Sequence, residues 1–210
     1  MATLTSTQSK TANQTLLPMT VTAAGAVTKG TELDVSTKDF GNVFVRLGRT
    51  GTTSMTGAVE FRIESSSAVS DNDWSTVVAW VTGLGGTVAV AHQVTATATL
   101  GTSVVNTGTI NGLSAGADLF VYHSATVADS EFVKAMSITS PNVTTVDPLL
   151  KTHTLGGPAV VTSQAEQWCI PVDLQGIKRL RIVVDAAKNG TLVSTVAKAE
   201  IVTTDSILTV

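Results

Sequence analysis

Side-chain alternation over residues 42–64 leaves this chain little choice of architecture. Asn42 to Arg49 reads NVFVRLGR, and Gly57 to Glu64 reads GAVEFRIE. Val43, Val45 and Leu47 interleave with Phe44 and Arg46; Val59, Phe61 and Ile63 interleave with Glu60, Arg62 and Glu64. A period of two sends the apolar set to one face of a sheet and the charged set to the other. The Gly-, Thr- and Ser-rich stretch Thr50 to Thr56 reads as the loop of a hairpin joining the two strands.

The same pattern recurs to the C-terminus. A short strand is predicted at Thr31 to Val35. Asp71-Asn72-Asp73 forms a turn ahead of Trp74 to Val81 (WSTVVAWV), a β-prone run that should place Trp74 and Trp80, six apart, on one face. Leu119, Val121 and the run Phe132 to Ile138 supply further strands. Ser140-Pro141-Asn142 turns the chain into a returning strand at Val143 to Val146. Strands are also predicted at Gln167 to Val172, at Arg179 to Asp185 with Leu180, Ile182 and Val184 on one face, and at Thr191 to Thr203 after an Asn189-Gly190 turn. Helical periodicity is missing, and Val127 to Met136 has room for a turn or two at most. The predicted fold is all-β: an antiparallel β-sandwich, jelly-roll or Ig-like, with an inserted small β-barrel-like subdomain.

The simplest organisation is nested. Residues 1–18, rich in Thr, Ser, Gln and Asn, form a flexible N-terminal arm, because they hold too little apolar surface to offset the entropy of ordering. Residues 19–86 and 163–210 build the sandwich, and 87–162 are inserted into it, with the Gly clusters at 83–86 and 156–157 as junctions. The alternative is one larger sandwich with a long excursion.

Composition excludes several function classes. Charged residues make up 14% of the chain, against a usual value of about 25%. The net charge is -3 and no basic stripe is present, which argues against nucleic acid as a partner. No run reaches the roughly eighteen apolar residues of a membrane helix, and the N-terminus lacks the basic-then-apolar order of a secretory signal, so neither membrane nor export is expected. Cys169 is the single cysteine, and its neighbours Trp168 and Ile170 point to a buried thiol.

No catalytic or cofactor constellation stands out. His92, His123 and His153 are about thirty residues apart and share no element. The Gly-rich stretches GLGG and LGGP lack the Lys-Ser/Thr of a phosphate loop, and no nucleophile elbow is present. Glu60 and Glu64 flank Arg62 on one strand face, where Arg62 and Arg46 across the hairpin should neutralise them as surface ion pairs. No enzymatic activity, cofactor or metal is therefore expected.

The stretch GAVEFRIESSSAVSDNDWSTVVAW resembles a pattern of tailed-bacteriophage virion proteins, in which a strand ending in an acidic or Ser-rich stretch runs through a polar turn into a Trp strand. DLQGIKRLRIVVDAAKNGTLVSTVAKAEIV is similar to the closing hairpin of such sandwiches, and GLSAGADLFVYH with SEFVKAMSITSPNVTTVDPLLKTH is similar to their small barrel insertions. The resemblance implies a structural protein of a phage particle. The expected role is a capsid decoration, or cement, protein in the virion, homo-oligomeric and bound to the major capsid protein or other virion proteins. The alternatives are a neck, tail or fibre subunit, and a carbohydrate- or receptor-binding sandwich. Partner contact is expected from the arm, through Leu4, Leu16, Leu17 and Pro18, and from Trp74 beside the acidic turn.

Overall fold

The computed structural model describes residues 5–22, 25–50, 59–68, 73–82, 90–155, 157, 159–163, 165–186 and 195–209. The chain is all-β. Its strands are β1 (Thr5–Lys10), β2 (Gln14–Thr22), β3 (Val27–Lys29), β4 (Leu33–Asp34), β5 (Phe40–Arg49), β6 (Glu60–Ser66), β7 (Ser75–Val81) and β8 (Ala91–Gln93). They continue with β9 (Val104–Asn106), β10 (Asp118–His123), β11 (Glu131–Thr139), β12 (Asn142–Thr145), β13 (Ala159–Thr162), β14 (Ala165–Asp173), β15 (Arg179–Asp185) and β16 (Thr195–Thr209). A single 3₁₀ turn, Val127–Asp129, precedes β11.

Two sheets face each other. One runs β1-β16-β5-β14, with β2 also paired to β16; the other runs β3-β15-β6-β7, with β4 also paired to β15. All pairings are antiparallel. Val43, Val45 and Leu47 of β5 and Ala197, Ala199 and Ile201 of β16 turn inward against Phe61 and Ile63 of β6 and Leu180, Ile182 and Val184 of β15. Every one of these side chains is fully buried. A third, six-stranded sheet, β8-β13-β10-β11-β12-β9, is built from residues 91–162 and curls around its own core of Val105, Leu119, Val121, Val143, Leu149 and Val161.

The predicted hairpin over 42–64 is corrected. β5 and β6 lie in different sheets and do not pair; β5 pairs with β14 and β16, and β6 with β15 and β7. Alternation records only that each strand has one buried face, and strands facing each other across a sandwich share that signature with hairpin partners. The 51–58 part of the connection lies outside the described residues, as do Asp71-Asn72, Gly83–Gly86, Gly156 and Asn189-Gly190.

The N-terminal segment also departs from expectation. β1 pairs with Thr204–Thr209 of β16, and β2 pairs with the earlier part of the same strand. Leu16 and Leu17 are core residues of the sandwich, so the arm is ordered by its own chain. The sparse apolar content of residues 1–18 is concentrated at two adjacent leucines, where it suffices to bury one strand end.

Trp74 and Trp80 do not share a face. A bulge in β7 between the partners of Ile63 and Glu64 adds one residue, Val77, and inverts the parity of everything before it. Trp80 turns inward and stacks on Phe61 at 5.4 Å, with Trp168 of β14 at 5.6 Å from the same ring. Trp74 stays on the outer surface. Cys169 is exposed: it pairs with Phe44 on the outer face of β14, while its neighbours Trp168 and Ile170 pack against the core. Apolar sequence neighbours in a strand thus point away from the residue between them.

The third sheet is tied to the sandwich at Gly48. Phe120 of β10 is fully buried and lies so close to Gly48 that a Cβ there would overlap its ring. The Thr162 hydroxyl lies 3.0 Å from the Arg49 carbonyl and 3.1 Å from the Phe120 carbonyl, bridging the two units. Gly48→Ala is therefore expected to lower stability by about 1–3 kcal/mol, the usual cost of overpacking. Chemical denaturation should register the loss, and adding Phe120→Leu should recover part of it.

Candidate functional site

The seam between the curled sheet and the sandwich forms a groove. Its floor is a transverse row on the outer face of the first sheet: Gln167 on β14, Arg46 on β5 and Lys198 on β16, in direct register, with Pro18 and Met19 of β2 beyond Lys198. Its wall is the start of β11 and the segment after β12, with Glu131, Phe132, Asp147, Pro148 and Leu150. Two depressions of about 580 and 320 Å³ make up the groove and share Arg46, Glu131, Phe132 and Leu150.

Charge in the groove is unevenly matched. Lys198 pairs with Glu200 at 2.8 Å, and Lys151 with Asp129 at 3.7 Å. Glu131 is almost fully buried and meets the fully buried His153 at 2.6 Å, Oε1 to Nε2. Its second oxygen accepts the backbone N–H of Leu150 at 2.9 Å. That bond, with the Ala98–His153 bridge, fixes the wall segment to the core of the curled sheet. Arg46 stands apart: among the described residues it makes no ion pair and no side-chain hydrogen bond, although it is half-buried in the floor of both depressions. Leu150, 73% exposed, lines both depressions with it.

The opposite face of the sandwich is charged but self-contained. Arg62 bonds Glu60 at 3.0 Å, Asp185 at 3.3 Å and Glu64 at 3.5 Å; Arg181 bonds Glu64 at 2.8 Å; Arg179 bonds Glu32 at 2.8 Å. Partial burial draws the Arg62 guanidinium down, but the bond to Glu60 and the charges of Glu60, Glu64 and Asp185 outweigh it and hold it above its ordinary value. Arg62 thus neutralises Glu60 and Glu64 as expected, while the expected contribution of Arg46 fails because β5 belongs to the other sheet. Trp74 is half-buried in this network, with the Arg181 guanidinium 3.9 Å and the Arg179 guanidinium 4.8 Å from its ring centroid.

The residues expected to meet a partner are therefore scattered. Leu4 lies outside the described residues. Leu16 and Leu17 are corrected to core positions, while Pro18, next in sequence, is exposed at the end of the groove. Trp74 lies beneath two arginines. The histidines stay apart: His92 bonds the Asn111 carbonyl and Thr109, His123 accepts the Thr126 N–H, and His153 joins Glu131. The groove residues Arg46, Phe132 and Leu150 are far apart in sequence and carry no local motif. The one available signal was Arg46, an outward charge on a strand whose other outward neighbours are Phe44, Asn42 and Gly48.

No protein-family model matches this chain, and no curated protein matches it. Among solved structures, "Crystal structure of PBSX exported protein XepA" aligns over 91% of this chain and 86% of that one, with 11% identity and a TM-score of 0.25. A TM-score of that size does not establish a common fold.

Proposed function

We propose that this chain is a non-enzymatic structural protein of a phage particle, in the first place a capsid decoration protein that binds the major capsid protein in many homo-oligomeric copies. The observation that carries the reading is the distribution of exposed apolar side chains. The most exposed of them, Leu100, Met136, Leu150 and Leu155, each 60% exposed or more, lie on the curled sheet and its loops with Val104 and Val146, while Val21, Val27, Phe40, Val77 and Val81 are exposed on the sandwich. Exposed apolar groups concentrated in this way are the chemistry of a contact surface. The sandwich, whose outer charges on β6 and β15 are mutually paired, supplies a stiff body. The sequence resemblance supplies the phage context.

In this role the protein acts by mass action. A chain that binds only the assembled shell stabilises that state by about 2.7 kcal/mol per site at a hundredfold excess over Kd. Capsids assembled without the chain are expected to open at lower temperature and lower osmotic shock than capsids carrying it. Equal resistance with and without it would refute the cement role. Counting copies per particle separates the reading from a neck, tail or fibre subunit. The carbohydrate-binding alternative ranks behind both, because the ring of Trp74 is half-buried and already engaged by the guanidinium groups of Arg179 and Arg181.

A further inference from the structure

We propose that the seam groove is a docking site for an extended acidic peptide segment of a partner protein, with a carboxylate seated on Arg46. This goes beyond the structural role above and does not depend on which particle position the chain occupies.

Length, charge and apolar lining each constrain the occupant. The floor crosses four adjacent strands, β14, β5, β16 and β2, which at the usual strand spacing spans about 14 Å. About four residues of extended chain cover that distance. Arg46 lies inside this span, and among the described residues it is a half-buried cation without a counter-charge. A half-buried guanidinium gains most from a carboxylate, whose two oxygens match its fork of donors. Gln167, its register neighbour, adds an amide on one side, and Lys198 on the other is already paired with Glu200, so Arg46 is the cation left for the ligand.

The ends of the groove differ. Pro18 and Met19 lie at one end, and Leu150 and Phe132 line the shared middle, which favours apolar residues ahead of the carboxylate. Asp118, Asp147 and Lys134 line the other end, where opposite charges leave no preference for either sign. The occupant therefore carries apolar residues beside an acidic one. An extended peptide suits an open groove crossing strands better than a compact ligand would, because successive side chains reach floor and wall alternately.

The test uses the whole chain and two capped peptides, acetyl-Leu-Leu-Asp-amide and acetyl-Leu-Leu-Asn-amide, titrated while the amide and arginine Nε–H resonances are followed by NMR. The Asp peptide is expected to shift the Arg46 Nε–H and the backbone signals of residues 131–132 and 150. The Asn peptide should bind about tenfold or more weakly, the loss expected for one charge-assisted bond. Arg46→Gln should weaken the Asp peptide to the same degree without lowering the melting temperature, because Arg46 holds no internal partner. Leu150→Ser, at an exposed position, provides an independent variant and should weaken both peptides alike. Equal binding of the two peptides, undiminished binding to Arg46→Gln, or shifts confined to other surfaces would each overturn the proposal. So would glucuronate shifting the Arg46 signal while the Asp peptide does not, an outcome that would give the site to an acidic sugar. The capsid-stability experiment is unaffected by any of these results, so the two readings fail separately.

Discussion

His153→Ala is expected to destabilise the protein by about 3–5 kcal/mol, the range for removing one partner of a buried ionisable pair. The imidazole is fully buried, and its Nε2 lies 2.6 Å from Glu131 Oε1. Removing it leaves a nearly buried carboxyl group short of a partner and opens a cavity where the ring stood. Glu131→Gln keeps the shape and one hydrogen bond, so its expected cost is smaller, about 1–3 kcal/mol. A double replacement, Glu131→Leu with His153→Phe, should recover part of the loss, because apolar groups of similar volume refill the space and only the Leu150 N–H loses its acceptor. Thermal or urea unfolding of the parent and the three variants ranks these costs. If His153→Ala melts with the parent, the pair contributes nothing to the fold. The effect should also reach the groove, because Glu131 Oε2 holds the Leu150 N–H.

Phe61→Ala should cost about as much, 3–5 kcal/mol by the usual figure for a buried aromatic ring. Phe61 is fully buried on β6 and meets both Trp80 and Trp168, whose own centroids are 6.1 Å apart. These rings close the sandwich where β7 and β14 form the outer strands of the two sheets. Truncation removes the surface on which both indoles rest, so the loss should appear in tryptophan emission at temperatures below the main transition. Phe61→Leu keeps most of the volume and should lose clearly less. Identical melting of parent and Phe61→Ala would show that the two sheets are held together elsewhere.

These two sites show why some of the structure was legible in the sequence and some was not. Phe61 was readable: it stands between Val59 and Ile63 in a strict two-residue period, and the structure buries all three. Leu180, Ile182 and Val184 were readable for the same reason, as was the turn at Ser140-Pro141-Asn142 between β11 and β12. The Glu131–His153 pair was not. Its partners are 22 residues apart on elements with no shared period, and they meet because the curled sheet closes on itself. Arg46 gave a visible local signal and a misleading partner, since alternation cannot say which sheet a strand joins.

The sequence by itself determined that this chain is all-β, where most strands lie and which face of each is buried, because side-chain direction in a strand alternates under local sterics alone. The tertiary structure alone decided that β5 and β6 cross the sandwich, that a one-residue bulge turns Trp74 away from Trp80, and that Leu16 and Leu17 belong to the core. It alone placed Arg46, unpaired among the described residues, in one groove with Leu150. Those outcomes depend on long-range pairing and register, whose energies come from contacts between residues that no local pattern connects.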